Sequence, residues 1–422
     1  MDFKETIREQ RMAIEKAGSG TNIIQREQHG YASQFIRHPN ILAITGVRRS
    51  GKSIFSYLLT KGSNFGYVNF DDERIHDVRT EDLNSMLQAM YSLYGDVDTI
   101  VLDEVQRAPK WELFASRLRV TKKLIVTGSN STLLSGELAT HLTGRYIDVA
   151  VHPFSFREFL VGTGFEKQVA YTTLERARII SNLNEYMEVG GFPEVRTVGP
   201  EILSRIYNDI VFKDIVQRYK IRKMEVARHL ATYLVSGSGN EITYSSLSKA
   251  LDIKSADTVA KWVSYIERAF LVTRLERFDY KLKHRVKAPK KFYCIDTGLA
   301  KVAGFHFSKN TGKTMENVVA IDLQRWKTKQ YGRDVYYWKD HQQREVDFIL
   351  KNGPEVVQLI QVTYASDRME IPERELASLE KASKALRCKN LLIITWDFEG
   401  EERLDGKIVR FIPLWKWLLE EA

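Results

Sequence analysis

Short apolar runs alternate with amphipathic segments in the first part of the chain. The runs lie at residues 41–45, 67–70, 99–102, 123–127 and 146–151. Runs of this length are typical of buried strands, because strands are short and both faces of a central strand are covered. The segments between them have helical spacing and predict helices over residues 54–60, 81–94, 111–119 and 131–143. Strands that alternate with helices predict a parallel, doubly wound α/β sheet.

The pattern changes after residue 152. Residues 155–235 have helical periodicity, interrupted at Gly190-Gly191-Phe192-Pro193, where glycine and proline favour a fixed turn. Residues 236–300 predict two helices and then strand-like runs at 269–272 and 292–295, an order that resembles a winged helix. The last third predicts a helix over 315–325, strands over 334–338, 345–350 and 356–363, a helix over 373–386 and a strand over 390–395.

The composition excludes several classes of protein. Of the 422 residues, 43% are hydrophobic and 11% are aromatic, which is typical of a globular protein and not of a disordered chain. No apolar stretch reaches the roughly 18 residues of a membrane span, so we expect no membrane partner. The charged start of the chain does not have the apolar core of a signal peptide. Cys294 and Cys388 lie far apart without metal-ligand spacing, which fits a reducing cytoplasm.

One glycine-rich segment matches the phosphate-binding pattern GxxxxGK[ST] at every fixed position. It runs Gly46-Val47-Arg48-Arg49-Ser50-Gly51-Lys52-Ser53, between a predicted strand and a predicted helix. The two glycines permit backbone angles that turn successive N–H groups toward a phosphate, and the helix adds its positive end. We expect the segment and the adjoining Ile54 to bind the nucleotide, with Lys52 at the β- and γ-phosphates and the Ser53 hydroxyl on Mg²⁺.

Two carboxylates follow the apolar run Thr99-Ile100-Val101-Leu102. Asp103 and Glu104 are expected at the carboxyl end of a buried strand, the edge at which open parallel sheets bind ligands. We predict that Asp103 holds Mg²⁺, directly or through water, and that Glu104 orients and polarises the attacking water. The alternative is a strand that simply ends in solvated acids.

Further polar residues follow the later strands. Ser129 and Asn130, with Thr127 behind them, could contact both the γ-phosphate and the attacking water, or they could form a turn that caps the next helix. Arg145 ends the helix predicted before the fifth strand. From there it could reach the γ-phosphate of a neighbouring subunit and stabilise transition-state charge, or it could interact only with the helix dipole.

In this order the motifs resemble those of an AAA+ ATPase. With Leu142-Thr143-Gly144-Arg145, Pro153 to Phe159, Gly190 to Glu194 and Glu345 to Phe348, they resemble a large prokaryotic family of AAA+ ATPases that is common in archaea. The resemblance implies ATP binding and hydrolysis, and it places residues 23–27 at the adenine pocket. It also implies an AAA+ P-loop domain over 1–153, a helical lid over 154–224, a winged helix over 225–304 and a nuclease-like α/β domain over 305–422.

The last of these domains resembles the PD-(D/E)xK nucleases with part of their site missing. Glu316 and Asp347 have the positions of two metal-binding acids, but Gln361 and Thr363 replace the further acid and the lysine. Because the acids hold Mg²⁺ and the lysine supports the attacking water, we expect no nuclease activity. Glu345 could still bind a metal together with Glu316 and Asp347, and surface acids on a small mixed sheet are the alternative.

A basic segment accounts for most of the net positive charge of the chain. Lys plus Arg is 63 and Asp plus Glu is 54, a net charge of +9, and residues 274–291 contribute eight cations against two acids. In a winged helix this segment falls on the wing, and the helix over 256–268 takes the recognition position. Basic side chains there would contact the phosphates of duplex DNA without reading sequence. A solvated hairpin or a protein-contact surface is the alternative.

These features together favour a cytoplasmic Mg²⁺-ATPase that switches or drives an assembly bound to DNA or protein. If Arg145 acts across subunits, catalysis depends on a homo-oligomer. A second hypothesis is a nucleotide-dependent DNA-binding switch with little turnover. A third is an ATP-controlled nuclease, against which Gln361 and Thr363 argue.

Overall fold

The computed structural model describes residues 3–20, 23–36, 38–131, 142, 144–166, 168, 170–304, 310–330 and 332–420. The chain divides into two compact units. The first comprises Met1–Phe154 with Arg268–Phe270, and the second comprises Ser155–Glu267 with Leu271–Ala422. Within the described residues, no helix has both the length and the apolar character that crossing a membrane requires.

The first unit is a parallel sheet with helices on both faces. Its helices are α1 (Phe3–Ala17), α2 (His29–Ile36), α3 (Lys52–Leu59), α4 (Asp82–Tyr94) and α5 (Trp111–Leu118). Its strands are β1 (Ile41–Thr45), β2 (Phe65–Asn69), β3 (Thr99–Asp103), β4 (Lys123–Gly128) and β5 (Tyr146–Ala150). The strands lie in the order β2-β3-β4-β1-β5, and every neighbouring pair is parallel.

Alternate residues of the strands enter two separate cores. Ile100 and Leu102 pack on one face with apolar residues of α1, α4 and α5, whereas Val101 packs on the other face with residues of α2 and α3. Because successive side chains of a strand point to opposite faces, a sheet covered on both sides needs continuous apolar strands. The predicted doubly wound α/β fold is therefore confirmed, with strand ends within two residues of those expected.

The polar start of the chain is helical in parts, as expected for residues 1–40. It contains α1 and α2, and α1 buries Phe3, Ile7 and Ile14. Most of the helix predicted over 131–143, including Thr143, lies outside the described residues.

The second unit contains most of the helices. After residue 155 they are α6 (Phe156–Val161), α7 (Thr173–Val189), α8 (Val195–Val198), α9 (Ile202–Asp209), α10 (Met224–Ser236), α11 (Tyr244–Ala250), α12 (Ala256–Arg268), α13 (Leu282–Lys287), α14 (Thr297–Ala303), α15 (Thr311–Thr328), α16 (Glu373–Leu386) and α17 (Leu414–Leu419). A π-helical segment, Ile210–Gln217, continues from α9. The helical reading of residues 155–235 thus agrees with the structure.

The strands of the second unit form one mixed sheet. They are β6 (Glu241–Ile242), β7 (Val272–Arg277), β8 (Lys290–Cys294), β9 (Arg333–Lys339), β10 (Glu345–Asn352), β11 (Glu355–Val362), β12 (Leu391–Thr395), β13 (Gly400–Leu404) and β14 (Lys407–Pro413). Their order is β13-β14-β12-β11-β10-β9-β7-β8-β6. Since β7 pairs with β9 in parallel, strands from both sides of the predicted boundary at residue 304 share this sheet.

Some strand predictions in the second unit were wrong. The run at 269–272 was expected to be a strand, but β7 begins only at Val272 because Phe270 has a φ of 58°, which extended strands do not adopt. The basic run over 274–291 was expected on a wing that contacts DNA, with a solvated hairpin as the alternative, but Lys290 and Lys291 belong to β8 and are buried. The hairpin of β13 and β14 was not anticipated.

The glycine pair at residues 190–191 is a close-packing site. Gly190 ends α7 with a φ of 73°, and a Cβ there would stand 2.1 Å from Oδ1 of Asp296. The buried Asp296 carboxylate accepts the N–H of Gly191 at 2.7 Å and the N–H of Leu299 at 3.0 Å. This carboxylate therefore caps α14 and fixes the turn after α7.

We predict that Gly190→Ala destabilises the protein by about 2 kcal/mol or more, since both the backbone conformation and the carboxylate contact oppose a Cβ. The midpoint and slope of urea unfolding would measure this loss. Gly95→Ala is the matched control, because Gly95 ends α4 with a φ of 72° and has open space at the Cβ position. Equal losses in the two variants would show that the Asp296 contact is unimportant.

Candidate nucleotide-binding site

The segment from Gly46 to Gly51 forms a tight loop between β1 and α3. Gly46 has a φ of 149°, and a Cβ on it would stand 2.1 Å from the carbonyl oxygen of Val151. Gly51 has a φ of 93° and is the N-cap of α3. Both glycines are thus required by backbone geometry, as the phosphate-binding pattern predicts. The loop delivers the chain directly to a helix N-terminus, where N–H groups without helical partners favour an anion.

Buried polar atoms line the inner side of this loop. Lys52 is only 4% exposed, and its Nζ donates to the carbonyl oxygen of Val47 at 3.1 Å. The Oγ of Ser50 is buried and has no hydrogen-bond partner among the described residues. A buried hydroxyl and a buried ammonium are costly to leave without anionic or polar partners. Their placement at a helix N-terminus fits a bound phosphate chain.

Asp103 lies at the end of β3 and is 1% exposed. Its Oδ2 accepts the hydroxyl of Tyr67 at 2.6 Å, and its Oδ1 accepts the hydroxyl of Thr127. The hydroxyl of Ser53, on the first turn of α3, lies near enough to this carboxylate to lower its pKa slightly. The two side chains predicted to hold Mg²⁺ therefore lie close together. Oxygen ligands of this kind are those that Mg²⁺ prefers.

Glu104 is positioned differently from its neighbour. Its backbone has a φ of 50°, and its N–H donates to Thr127 Oγ1 at 3.0 Å. One carboxylate oxygen lies 3.6 Å from Lys52 Nζ, and the other accepts the side-chain amide of Gln106 at 2.5 Å. Ser129 is also hydrogen-bonded to this carboxylate.

The pKa values of the two acids shift in opposite directions. Burial, together with repulsion from Glu104, raises the pKa of Asp103, although Thr127, Tyr67 and Ser53 oppose the shift by hydrogen bonding. Burial would also raise the pKa of Glu104, but the Lys52 ammonium, the Gln106 hydrogen bond and the Arg48 charge hold that pKa below its usual range. Adjacent groups with pKa values driven apart are typical of functional sites. Glu104 is thereby kept ionised at neutral pH, as a group that polarises water must be.

The structure brings most of the other predicted residues to this edge of the sheet. Ser129 and Asn130 follow β4 and are each 1% exposed. Arg48 lies 3.8 Å from Asp71, and Arg49 adopts a φ of 64° within the loop. Arg145 is exposed, and its guanidinium donates to Ser116 Oγ at 3.3 Å. Its role at the γ-phosphate of a neighbouring subunit stays a prediction.

The positions expected at the adenine pocket are divided between two places. Arg26 donates to the carbonyl oxygen of Ser50, and its guanidinium lies 4.3 Å from the ring centroid of Phe154, so it supports the phosphate loop. Ile23 and Gln25 instead line a cavity of about 1000 Å³ with Thr99 and Lys123. Those two residues begin β3 and β4, at the sheet edge opposite to the loop.

Two partners of the acids were missed by sequence reasoning. Tyr67 lies in β2, outside the motifs, and Gln106 lies in the turn after Glu104, where the sequence analysis gave it no role. The signal for Tyr67 was a tyrosine inside a strand predicted to be buried, because a buried phenol needs a hydrogen-bond partner. Its contact with Asp103 depends on β2 being the neighbour of β3.

The acids predicted in the second unit also come together, but around a lysine. Glu316, Glu345 and Asp347 surround the Nζ of the buried Lys291. With Lys291 between them, these acids are not arranged to hold a metal ion, and neither is any other group of three or more acids, histidines or cysteines in the described part of the chain. Gln361 accepts the backbone N–H of Asp347 at 3.3 Å, and it does not replace the missing acid.

We predict that Tyr67→Phe raises the Mg²⁺ concentration needed for half-maximal thermal stabilisation by ATP about tenfold, since a hydrogen bond to a charged group contributes about 1.5 kcal/mol. A thermal-shift titration with Mg²⁺ at fixed ATP measures this change. Tyr57→Phe is the control, because Tyr57 lies on α3 with its ring against Phe65. An unaltered Mg²⁺ midpoint for Tyr67→Phe would show that Asp103 does not depend on this phenol.

Comparison with known proteins assigns the chain to a family. Residues 38–160 match the AAA domain, and residues 180–309 and 311–417 match two domains of unknown function, DUF8612 and DUF4143. The uncharacterized protein MJ1544 of Methanocaldococcus jannaschii is 34% identical over 401 residues, which cover 90% of this chain and 89% of that protein. An uncharacterized protein of Haemophilus influenzae is 30% identical over 424 residues, which cover 94% and 99% of the two chains.

Among solved structures, the Walker-type ATPase PABY2304 of Pyrococcus abyssi is similar to this chain, with 14% sequence identity and a TM-score of 0.43. The match covers 67% of this chain and 96% of that chain. The AAA match covers the sheet, the phosphate loop and the acids Asp103 and Glu104. The chain thus belongs to the family of these uncharacterized proteins from M. jannaschii and H. influenzae, and its first unit carries an AAA-type P-loop ATPase domain.

Proposed function

We propose that the protein is an Mg²⁺-dependent ATPase that couples ATP hydrolysis to an assembly bound to DNA or protein. The observation that carries this proposal is the pair of adjacent acids at the end of β3. Asp103 is buried close to the Ser53 hydroxyl, whereas Glu104 is held ionised beside the Lys52 ammonium. P-loop ATPases require one acid for the metal and one group that positions water, and this pair supplies both.

Each residue of the loop has a separate role in this proposal. Backbone N–H groups of residues 46–51 and the N-terminus of α3 bind the phosphate chain, and Lys52 neutralises the β- and γ-phosphates. Ser53 and Asp103 would hold Mg²⁺, which supplies charge neutralisation on the phosphates. Glu104 accepts a proton from the attacking water or orients it.

Three polar residues are assigned to transition-state stabilisation. Ser129 lies beside Glu104 and Asn130 follows it after β4, where the two could contact the γ-phosphate. Arg145 is exposed, so it is available to the active site of a second copy of the chain in a homo-oligomer. Turnover per subunit would then rise with protein concentration.

We predict that Glu104→Gln lowers the rate of ATP hydrolysis about 100-fold or more while ATP binding persists, because the amide cannot accept the proton of the water. Phosphate release measures turnover, and retention of labelled ATP on a desalting column measures binding. Glu81→Gln, at an exposed residue before α4, is the control. Rapid hydrolysis by Glu104→Gln would remove Glu104 from its assigned role.

A second candidate function, binding of duplex DNA, is favoured by the surface around α13. The order α10, β6, α11, α12, β7, β8 is the order of elements in a winged helix, with the segment between β7 and β8 as its wing. Lys281, Lys283 and Lys287 are exposed on this segment beside the apolar Leu282, which is 67% exposed. Exposed lysines can neutralise phosphates, whereas apolar tips can insert between base steps.

The rest of the basic segment is less available than its sequence indicates. Arg274 lies 3.3 Å from Glu267, and Arg285 lies 3.3 Å from Glu276. Lys290 donates to the carbonyl oxygens of Arg285 at 3.2 Å and Val286 at 2.5 Å. The DNA-binding proposal therefore depends on three lysines rather than on eight cations.

We predict that the triple substitution of Lys281, Lys283 and Lys287 by Ala weakens duplex binding and reduces the slope of log affinity against log salt by up to about 2.7, or about 0.9 for each phosphate contact. Filter binding across a salt series would measure both changes. The matched control substitutes the exposed Lys223, Lys329 and Lys389. If both triple variants retain the same slope as the unaltered protein, α13 does not contact DNA.

A further inference from the structure

A buried lysine in the second unit lies at the centre of three carboxylates. The Nζ of Lys291, on β8, lies 3.0 Å from Glu316 Oε1, 2.6 Å from Glu345 Oε1 and 3.5 Å from Asp347 Oδ1. The side chain of Lys291 is 1% exposed, and those of Glu316 and Asp347 are 7% and 10% exposed. We call these four residues the Lys291 cluster.

The carboxylates of the cluster are held in place by other groups as well. Glu316 accepts the hydroxyl of Tyr293 at 2.7 Å and the ammonium of Lys313 at 2.8 Å. Asp347 accepts the backbone N–H of Val362 at 3.0 Å. These contacts come from β8, α15 and β11. They do not involve Lys291, and they hold the carboxylates so that both point toward the same place.

Glu345 has a second cationic partner outside the cluster. Its Oε2 lies 3.2 Å from the Nζ of Lys339, while its Oε1 faces Lys291. Lys339 also lies 2.7 Å from Glu241 and is therefore shared between two acids. Removal of Lys291 would consequently leave all three carboxylates of the cluster present and oriented, but with one cation fewer among them.

The point where Nζ lies has the properties of a cation position. Oxygen atoms of three carboxylates surround it, which is the donor set that Mg²⁺ and Mn²⁺ prefer. Carboxylates this close repel each other when they are ionised, and a cation between them relieves that repulsion. A metal ion and an ammonium group cannot occupy the same point, so the lysine excludes the metal.

The competing interpretation is a nuclease site in which Lys291 on β8 supplies the lysine that is missing at position 363. In such a site the lysine and the acids must reach a phosphodiester and an attacking water. Here Glu316, the acid on α15, is covered by Gly239 and Lys313. A Cβ added to Gly239 would stand 2.9 Å from Glu316 Oε1, and Lys313 donates to the carbonyl oxygen of Gly239 at 3.2 Å. Burial of Lys291 and Glu316 leaves no access for a nucleic acid backbone at this position.

We propose that the ammonium of Lys291 occupies a divalent-cation position formed by Glu316, Glu345 and Asp347. The chain thus carries its own cation, which ties β8 to α15 and β10 and keeps the site free of metal. The site takes up Mn²⁺ or Mg²⁺ only when the ammonium is removed. This proposal does not rest on the ATPase activity of the first unit.

The test is Mn²⁺ binding to the full chain without nucleotide, measured by electron paramagnetic resonance. Lys291→Met, which keeps the length of the side chain but removes its charge, is expected to bind one more tightly held Mn²⁺ per chain than the unaltered protein. Adding Asp347→Asn to that variant is expected to abolish the gain. Lys313→Met is the matched control, because Lys313 also contacts Glu316 but is 39% exposed and lies outside the cluster. It is expected to gain no Mn²⁺.

Two results would overturn the proposal. One is a folded Lys291→Met variant, with an unaltered circular dichroism spectrum, that binds no additional Mn²⁺. The other is a loss of tightly bound Mn²⁺ when Asp347→Asn is introduced into the otherwise unaltered protein, since that would place a metal at the cluster beside Lys291. This second comparison tests the claim that Lys291 keeps the cluster free of metal even if Lys291→Met does not fold, and equal Mn²⁺ binding by Asp347→Asn and the unaltered protein supports that claim.

Discussion

The candidate site of the first unit depends on the ion pair between Lys52 and Glu104. The two charged groups lie 3.6 Å apart, and their side chains are 4% and 16% exposed. Removal of one partner from a buried pair costs about 3–5 kcal/mol, because the other charge is left without compensation in a medium of low polarity. The Lys52 ammonium holds the pKa of Glu104 below its usual range, so the site places an anion that can polarise water beside a cation that can bind phosphate.

Local sequence was sufficient to predict the parts of this site that the backbone alone determines. The loop at 46–53 needs glycines at fixed spacing, and the acids follow directly from an apolar strand, so both can be found from neighbours along the chain. Tyr67 and Thr127 could not be assigned to Asp103 in the same way. Their contacts require that β2 and β4 flank β3, which is a property of strand order and not of any one segment.

The basic segment shows why counts of charge do not predict a surface. Residues 274–291 have eight cations along the chain, but burial depends on where each strand pairs. Lys290 and Lys291 lie in β8, between β7 and β6, where every residue is buried. A buried lysine needs acceptors, and those of Lys291, which are Glu316, Glu345 and Asp347, come from elements 25 to 56 residues away. Such a partnership cannot be predicted from sequence spacing.

The buried lysines Lys52 and Lys291 differ in how many of their donors are used. An ammonium group has three N–H donors. Those of Lys291 are matched by three carboxylates, so the group is saturated and serves as a permanent cation. Lys52 has one hydrogen bond, to Val47, and a longer contact with Glu104 within the described residues, and it lies beside a helix N-terminus. Its donors can therefore turn to a phosphate without breaking a saturated network. Buried lysine–carboxylate contacts thus produce a fixed structural link in one unit and an exchangeable anion site in the other.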